Sequence, residues 1–267
     1  MTRRLLALLA AAACAASLLA GCVSEPPANG SARETRPSND PADVERRAKV
    51  RLELASAYFA RGQSETALDE VKQALAARPD MPEALGLRGL IYAALGETRL
   101  ADDSFQRALS LAPRDGDLRH NYGWFLCQQG RYGDADREFE TTLALPQYRG
   151  SARTLLAKGV CDAREGRWAD AEAALYRSFQ LEPANPATSY NLADALYHRG
   201  SFERARFYVQ RVNAVSEQSS AATLWLAARI ERRLGNQAGA YEFGRQLRDR
   251  FPQSPEAAQF EQGRFDD

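Results

Sequence analysis

Apolar and small residues recur along most of the chain with the spacing of about three to four positions that is typical of helices. A glycine followed by a polar residue ends six of these runs: Gly62, Gly96, Gly130, Gly166, Gly200 and Gly235, at spacings of 34, 34, 36, 34 and 35 residues. Five positions after each glycine comes a small residue: Ala67, Ala101, Ala135, Ala171, Ala205 and Ala240. The pattern predicts six helix–turn–helix units, each with a glycine whose left-handed conformation closes the first helix.

A period near 34 residues built from two helices is the signature of the tetratricopeptide repeat. The predicted fold class is therefore all-α, a right-handed superhelix of six such repeats. The repeats are expected at about residues 48–81, 82–115, 116–149, 152–185, 186–219 and 221–253 of a repeat domain spanning 42–267. Ser254, Pro255 and Glu256 supply an N-cap, a first-turn proline and a first-turn acid, and predict a C-terminal capping helix to about Gln262. Repeat six departs from the pattern because Gly244 stands where a large apolar residue is usual.

The first 21 residues are predicted to be a lipoprotein signal peptide and not part of the fold. Arg3 and Arg4 precede an apolar stretch from Leu5 to Leu18 that is too short for a comfortable membrane span. Leu19-Ala20-Gly21-Cys22 resembles a bacterial lipobox, and that resemblance implies cleavage after Gly21 and lipidation of Cys22. The alternative is an ordinary cleaved signal followed by an incidental cysteine.

Residue 23 is valine and not the aspartate that resembles an inner-membrane retention signal. An outer-membrane, periplasm-facing, lipid-anchored location is therefore expected. Residues 22–41 are polar and rich in proline, and predict the lipidated cysteine followed by a disordered tether. A flexible chain of about twenty residues spans roughly 25 Å, so the folded part could swing beneath the membrane.

Composition and charge exclude little but favour a soluble binding module. Apolar residues make up 45% of the chain and charged residues 26%, which is ordinary for a globular protein. The 35 basic and 35 acidic residues cancel, and removal of Arg3 and Arg4 leaves 33 against 35, a net charge of −2. This balance indicates neither a nucleic-acid partner nor an anionic membrane surface as a ligand.

No catalytic constellation is evident, so the chain is predicted not to be an enzyme and to need no cofactor, metal or small-molecule substrate. His120 and His198 lie on first helices two repeats apart without a shared carboxylate motif. No phosphate loop, Cys-x-x-Cys pair or His-Glu motif occurs.

Two cysteines are expected to remain in the folded domain: Cys127 on the first helix of repeat three and Cys161 on that of repeat four. Stacked first helices would place them side by side, and the periplasm is oxidising, so they could form a disulfide. Two buried free thiols are the alternative.

The concave face of such a superhelix is lined by the first helices. Counting along them gives the inward positions Leu52, Ser56, Phe59, Leu90, Trp124, Tyr190, Tyr197 and Trp225. Aromatic residues away from the core are natural anchors for a partner, and packing between adjacent repeats is the alternative role. Repeats one to three keep the cleanest pattern, so the partner groove is predicted there, with Leu52, Phe59 and Leu90 as anchors and Trp124 at its inner end.

Several short motifs are more specific than the repeat pattern. They are Tyr122-Gly123-Trp124-Phe125-Leu126-Cys127, Leu145-Pro146-Gln147-Tyr148, Gly159-Val160-Cys161, Leu224-Trp225-Leu226 and Phe251-Pro252-Gln253-Ser254. Together with the lipobox, they resemble the type IV pilus biogenesis and stability lipoproteins called PilW or PilF, the pilotins of pilus secretins, over roughly residues 45–256.

The resemblance implies a non-enzymatic escort that binds type IV pilus secretin subunits and promotes their outer-membrane localisation and multimer assembly. Another tetratricopeptide adaptor lipoprotein, serving outer-membrane barrel assembly or a different secretion system, is the alternative within the same class. A scaffold for a cell-wall enzyme, or a weak hydrolase, is the alternative from another class.

Overall fold

A computed structural model of the protein describes residues 40–265. The predicted signal peptide, Cys22 and all but the last two residues of the predicted tether lie outside the described residues.

The described residues form thirteen α-helices and one short 3-10 turn, Ser216–Gln218, without any β-strand. Within this range no helix is long and apolar enough to cross a membrane. The first helices of the six repeats are α1 (Pro41–Ala60), α3 (Pro82–Ala94), α5 (Gly116–Gln128), α7 (Ser151–Arg164), α9 (Pro186–His198) and α11 (Ala221–Arg233). The second helices are α2 (Ser64–Ala77), α4 (Thr98–Leu111), α6 (Tyr132–Leu143), α8 (Trp168–Leu181), α10 (Phe202–Asn213) and α12 (Gln237–Arg250), and α13 (Pro255–Glu261) follows them. The predicted all-α fold of six repeats with a capping helix is confirmed.

Helix α1 begins at Pro41, seven residues before the expected start of repeat one and inside the segment that we predicted to be tether. Asp40 explains the early start, because its Oδ1 accepts a hydrogen bond from the Ala42 N–H at 3.0 Å. An aspartate at the N-cap followed by proline in the first turn is a strong helix-start signal.

The two helices of a repeat approach closely because a small residue on one faces a large side chain on the other. A Cβ added to Gly123 of α5 would lie 2.8 Å from the Phe139 ring of α6. The same arrangement joins Gly89 to Phe105 and, with leucine in place of the ring, Gly159 to Leu175. The alanines that follow the turn glycines are all buried, at 4% exposure or less.

The six turn glycines have φ between 72° and 82°, as expected for the residue that closes the first helix of each pair. The backbone N–H after the turn then bonds back into the first helix, for example Arg131 N to the carbonyl of Leu126 at 2.9 Å. This turn satisfies carbonyls that a helix end would otherwise leave without a partner.

The capping helix explains the unusual glycine of repeat six. A Cβ on Gly244 of α12 would lie 2.0 Å from the ring of Phe260 on α13. Phe260 therefore fills the space that a large residue fills elsewhere. The Ser254 side chain caps α13 by accepting a bond from the Ala257 N–H at 3.1 Å.

We expect Gly244→Ala to destabilise the protein by about 1–3 kcal/mol, because the new methyl group overpacks the Phe260 site. Chemical denaturation of the purified protein measures the change. The matched control is Gly133→Ala on α6, where a Cβ meets nothing within 4 Å. That variant should be neutral or more stable by up to about 1 kcal/mol. In a double-mutant cycle with Phe260→Ala, the cost of Gly244→Ala should largely disappear. An unchanged cost would show that the contact does not explain the glycine.

Candidate partner-binding surface

Each first helix presents three equivalent positions that lie ten, six and three residues before its turn glycine, and we call these the groove positions. The residues that we predicted to face a partner all occupy them: Leu52, Ser56, Phe59, Leu90, Trp124 and Tyr197, together with Tyr190 and Trp225.

The chemistry of the groove positions changes along the chain. Repeats one to four carry no charged residue there: Leu52, Ser56, Phe59, Gly86, Leu90, Ala93, His120, Trp124, Cys127, Leu156, Val160 and Ala163. Repeats five and six carry only aromatic and charged residues: Tyr190, Asp194, Tyr197, Trp225, Arg229 and Arg232. The same register thus gives an apolar groove at one end and a polar, aromatic surface at the other.

In repeat one, Leu52 and Phe59 are half-buried and pack against the core that repeat one shares with repeats two and three. Ser56 is exposed, and its hydroxyl donates to the Leu52 carbonyl at 2.9 Å. Part of each apolar side chain therefore remains open to a partner while the rest stabilises the repeat.

Leu90 and Trp124 are also half-buried, and both pack against a second cluster centred on repeats two and three. The Arg164 guanidinium lies 4.9 Å from the centroid of the Trp124 ring. Trp124 therefore packs against the apolar cluster and also contacts the Arg164 guanidinium.

Tyr197 does not present an open anchor, which corrects our prediction for repeat five. Its side chain is only 6% exposed and belongs to the core shared by repeats four to six. The Arg229 guanidinium covers its ring at 4.6 Å. The physical reason is that the following repeat stacks directly on this position.

The structure brings Cys127 and Cys161 together, with their sulfur atoms in contact and their Cα atoms 5.8 Å apart. This Cα separation is the one that disulfides usually have. Both side chains are buried, at 1% and 2% exposure.

Residues 145–150 connect α6 to α7, where the spacing of the turn glycines is 36 residues, and they pack onto the junction of repeats three and four. A Cβ on Gly116 would lie 2.6 Å from the Tyr148 ring, so this glycine makes room for the tyrosine. The Tyr148 hydroxyl and the His120 Nδ1 each lie 2.9 Å from the Thr154 hydroxyl. Burial lowers the pKa of His120 to about 4, so the imidazole is neutral near neutral pH.

An ionic cluster around the largely buried Lys158 side chain adds a further link between α6 and α7. Lys158 pairs with Asp136, with Glu140 at 3.3 Å and with Asp162 at 3.6 Å. Burial alone would lower the pKa of Lys158, but the hydrogen bond to Asp136 and the neighbouring carboxylates raise it overall. The junction between repeats three and four is thus held by apolar, polar and ionic contacts at once.

At the C-terminal end, Tyr190 and Trp225 line one cavity, although the Trp225 side chain is only 7% exposed and its ring lies 5.0 Å from that of Phe265. Asp194 and Arg229 line the same cavity, and sequence analysis did not identify them. The signal was present, since both occupy the position six residues before a turn glycine. Glu256 of α13 also reaches the cavity, and no repeat register could have predicted that contact.

The histidines lie apart, as expected from their positions on first helices two repeats apart. His198 stacks on Trp168 with ring centroids 4.0 Å apart, and its Nε2 lies 3.7 Å from Asp194. Within residues 40–265, no group of three or more His, Cys, Asp and Glu side chains is placed to hold a metal ion.

Sequence profiles of the tetratricopeptide repeat match residues 52–116, 104–137, 123–186 and 163–230. These matches together run from repeat one into repeat six and agree with the helix pairs of the structure.

Two proteins, PilW and PilF, resemble the chain over most of its length. The crystal structure of PilW, a widely conserved type IV pilus biogenesis factor, is 32% identical, has a TM-score of 0.75, and covers 80% of this chain and 97% of PilW. The type IV pilus assembly protein PilF of Pseudomonas aeruginosa is 27% identical over 210 residues, 79% of this chain and 83% of PilF. A solved structure of Pseudomonas aeruginosa PilF has the same fold, with a TM-score of 0.72 at 24% identity, and covers 82% of this chain and 99% of that one.

Proposed function

Because the chain belongs to the family of tetratricopeptide proteins of type IV pilus biogenesis that includes PilW and PilF, we propose that it is a pilotin. In this role it binds secretin subunits of the type IV pilus and promotes their outer-membrane localisation and multimer assembly. The likeness to PilW over 80% of the chain carries the proposal. The protein would act by binding and not by catalysis, with no nucleic acid or small-molecule substrate.

The binding surface that we propose is the apolar groove formed by the groove positions of repeats one to three. Leu52, Phe59 and Leu90 are half-buried and uncharged, and Trp124 closes the row. A short helix or extended segment of a partner could bury such a row, and a few large side chains usually carry most of the affinity.

We expect Phe59→Ala and Trp124→Ala each to weaken binding of purified secretin by about tenfold or more, because each removes a large apolar contact. Binding is measured by titration and normalised to the folded fraction, since both side chains also pack against the core. Phe207→Ala is the matched control, because Phe207 is an aromatic residue on second helix α10 with 55% exposure.

Unchanged secretin affinity in both groove variants would place the binding surface elsewhere. Co-purification of barrel-assembly proteins in place of the secretin would favour the other adaptor function.

We propose that Cys22 carries the lipid anchor. Cys22→Ser should release the folded protein from the outer-membrane fraction and reduce secretin multimers there. The reason is that serine cannot carry the acyl chains that would hold the protein in the membrane. Membrane fractionation followed by immunoblotting measures both effects. Ser24→Ala, two residues downstream, is the control and should leave both unchanged. A Cys22→Ser protein that stays in the outer membrane with normal multimers would contradict the anchor.

We also propose that Cys127 and Cys161 form a disulfide in the mature protein. Mass spectrometry of the unreduced, alkylated protein should show one cross-linked peptide pair and no alkylation at either cysteine. Loop closure over 34 residues predicts about 3–4 kcal/mol of stabilisation, which reduction should remove. Two alkylated thiols in protein isolated under non-reducing conditions would exclude the bridge.

A further inference from the structure

A cavity of about 250 Å³ opens between the first helices of repeats five and six and the capping helix. Two aromatic rings, two carboxylates and one guanidinium are among its walls: Tyr190 and Asp194 from α9, Trp225 and Arg229 from α11, and Glu256 from α13. Three separate elements therefore converge on one site at the end of the molecule opposite to the apolar groove.

The two carboxylates in this cavity have no strong partner of their own. Among residues 40–265, neither the Asp194 nor the Glu256 side chain forms a hydrogen bond, and the His198 Nε2 lies 3.7 Å from the Asp194 carboxylate. Burial raises the pKa of the Asp194 carboxyl, and the nearby His198 and Arg229 offset that shift only in part. A partly desolvated carboxylate of this kind gains free energy when a cation binds to it.

Arg229 brings one positive charge to the cavity, and contacts outside the carboxylate pair hold its side chain in place. Its Nε donates to the Phe265 carbonyl at 3.0 Å, and its guanidinium lies over the Tyr197 ring at 4.6 Å. The cavity thus has two carboxylates and one guanidinium among its walls, and this excess of acidic groups favours a positively charged ligand.

The aromatic lining of the cavity favours a guanidinium over an ammonium group. A guanidinium is planar, stacks on aromatic faces and can donate to two acceptors at once, whereas an ammonium is a compact and strongly hydrated charge. The groove already contains such pairs within the chain, with Arg164 over Trp124 and Arg229 over Tyr197.

We propose that this cavity binds an arginine side chain of a partner polypeptide, with its guanidinium beside the half-buried Tyr190 ring and its N–H groups donating to Asp194 and Glu256. The partner segment would lie across repeats five and six and contact the capping helix. This site is separate from the apolar groove, and it does not depend on the identity of the secretin as partner.

The test uses the purified, detergent-solubilised protein and the blocked peptide acetyl-Ala-Arg-Ala-amide. The chain has three tryptophans, so three indole N–H resonances report on three places, and Trp225→Phe identifies the one in the cavity. Titration with the arginine peptide should shift the Trp225 resonance saturably and leave those of Trp124 and Trp168 in place. The same peptide with glutamine in place of arginine should produce no shift.

Asp194→Asn and Glu256→Gln should each weaken binding of the arginine peptide at least tenfold, since each removes one charge-assisted acceptor. Both changes preserve side-chain shape, and matching circular dichroism and melting curves verify that the variants are folded. Glu217→Gln is the control, because Glu217 is exposed in the 3-10 turn outside the cavity.

An arginine peptide that leaves the Trp225 resonance unmoved, or that binds the Asp194→Asn protein with unchanged affinity, overturns the proposal. A lysine peptide that binds as tightly overturns the assignment to arginine. Because no secretin is present in this experiment, its failure would leave the proposed function of the apolar groove untouched.

Discussion

The close approach of the two helices in each repeat is the contact on which the other features depend. At the crossing in repeat three, Gly123 leaves room for the face of Phe139. Such a pair has only one apolar seam of its own and must bury its outer faces against its neighbours. The resulting stack sets the spacing of the first helices, and with it the width and lining of the groove. A larger residue at the crossing would widen the pair and disturb every surface built upon it.

The junction of repeats three and four is where the regular stacking is reinforced. Two pairs of residues link α5 to α7: Cys127 with Cys161 and His120 with Thr154. Both pairs have a sequence separation of 34. The two contacts lie seven residues apart on each helix, or about two turns, so they fix the relative tilt as well as the distance. Tyr148 packs beside the second contact, and the ionic cluster around Lys158 links α7 to the preceding helix. This joint lies within the uncharged part of the groove, one repeat before the charged positions of repeats five and six begin.

The groove positions show how one scaffold can support two kinds of recognition. Their chemistry differs between repeats that share the same helix pair, so one fold carries different surfaces. In repeats one to three they are uncharged and suit the burial of an apolar segment. In repeats five and six they are aromatic or charged residues. Such residues favour polar contacts that fix the orientation of a partner. A partner that spans both ends would gain affinity from the first and orientation from the second.

The sequence by itself determined the features that arise from neighbours along the chain. Helical periodicity, the left-handed glycines, the alanines at the crossings and the Ser254 cap are all local, and the 34-residue period then fixes which repeats stack. That is why the helix pairs, the capping helix and the proximity of Cys127 to Cys161 could be anticipated. The start of α1 also depends on a local signal, the N-cap Asp40 followed by Pro41, although we assigned those residues to the tether.

Only the tertiary structure decided which side chains meet across repeats. Tyr197 lies at a groove position like Trp124, yet the next repeat covers it with Arg229. Asp194 and Glu256 are 62 residues apart, and their shared cavity depends on the rotation between repeats and on the placement of the capping helix. Gly244 appeared as a defect in the pattern until the structure placed Phe260 in its space. Periodicity fixes the face on which a side chain lies, but the distance between faces comes from packing many small contacts, and the sequence pattern does not encode that distance.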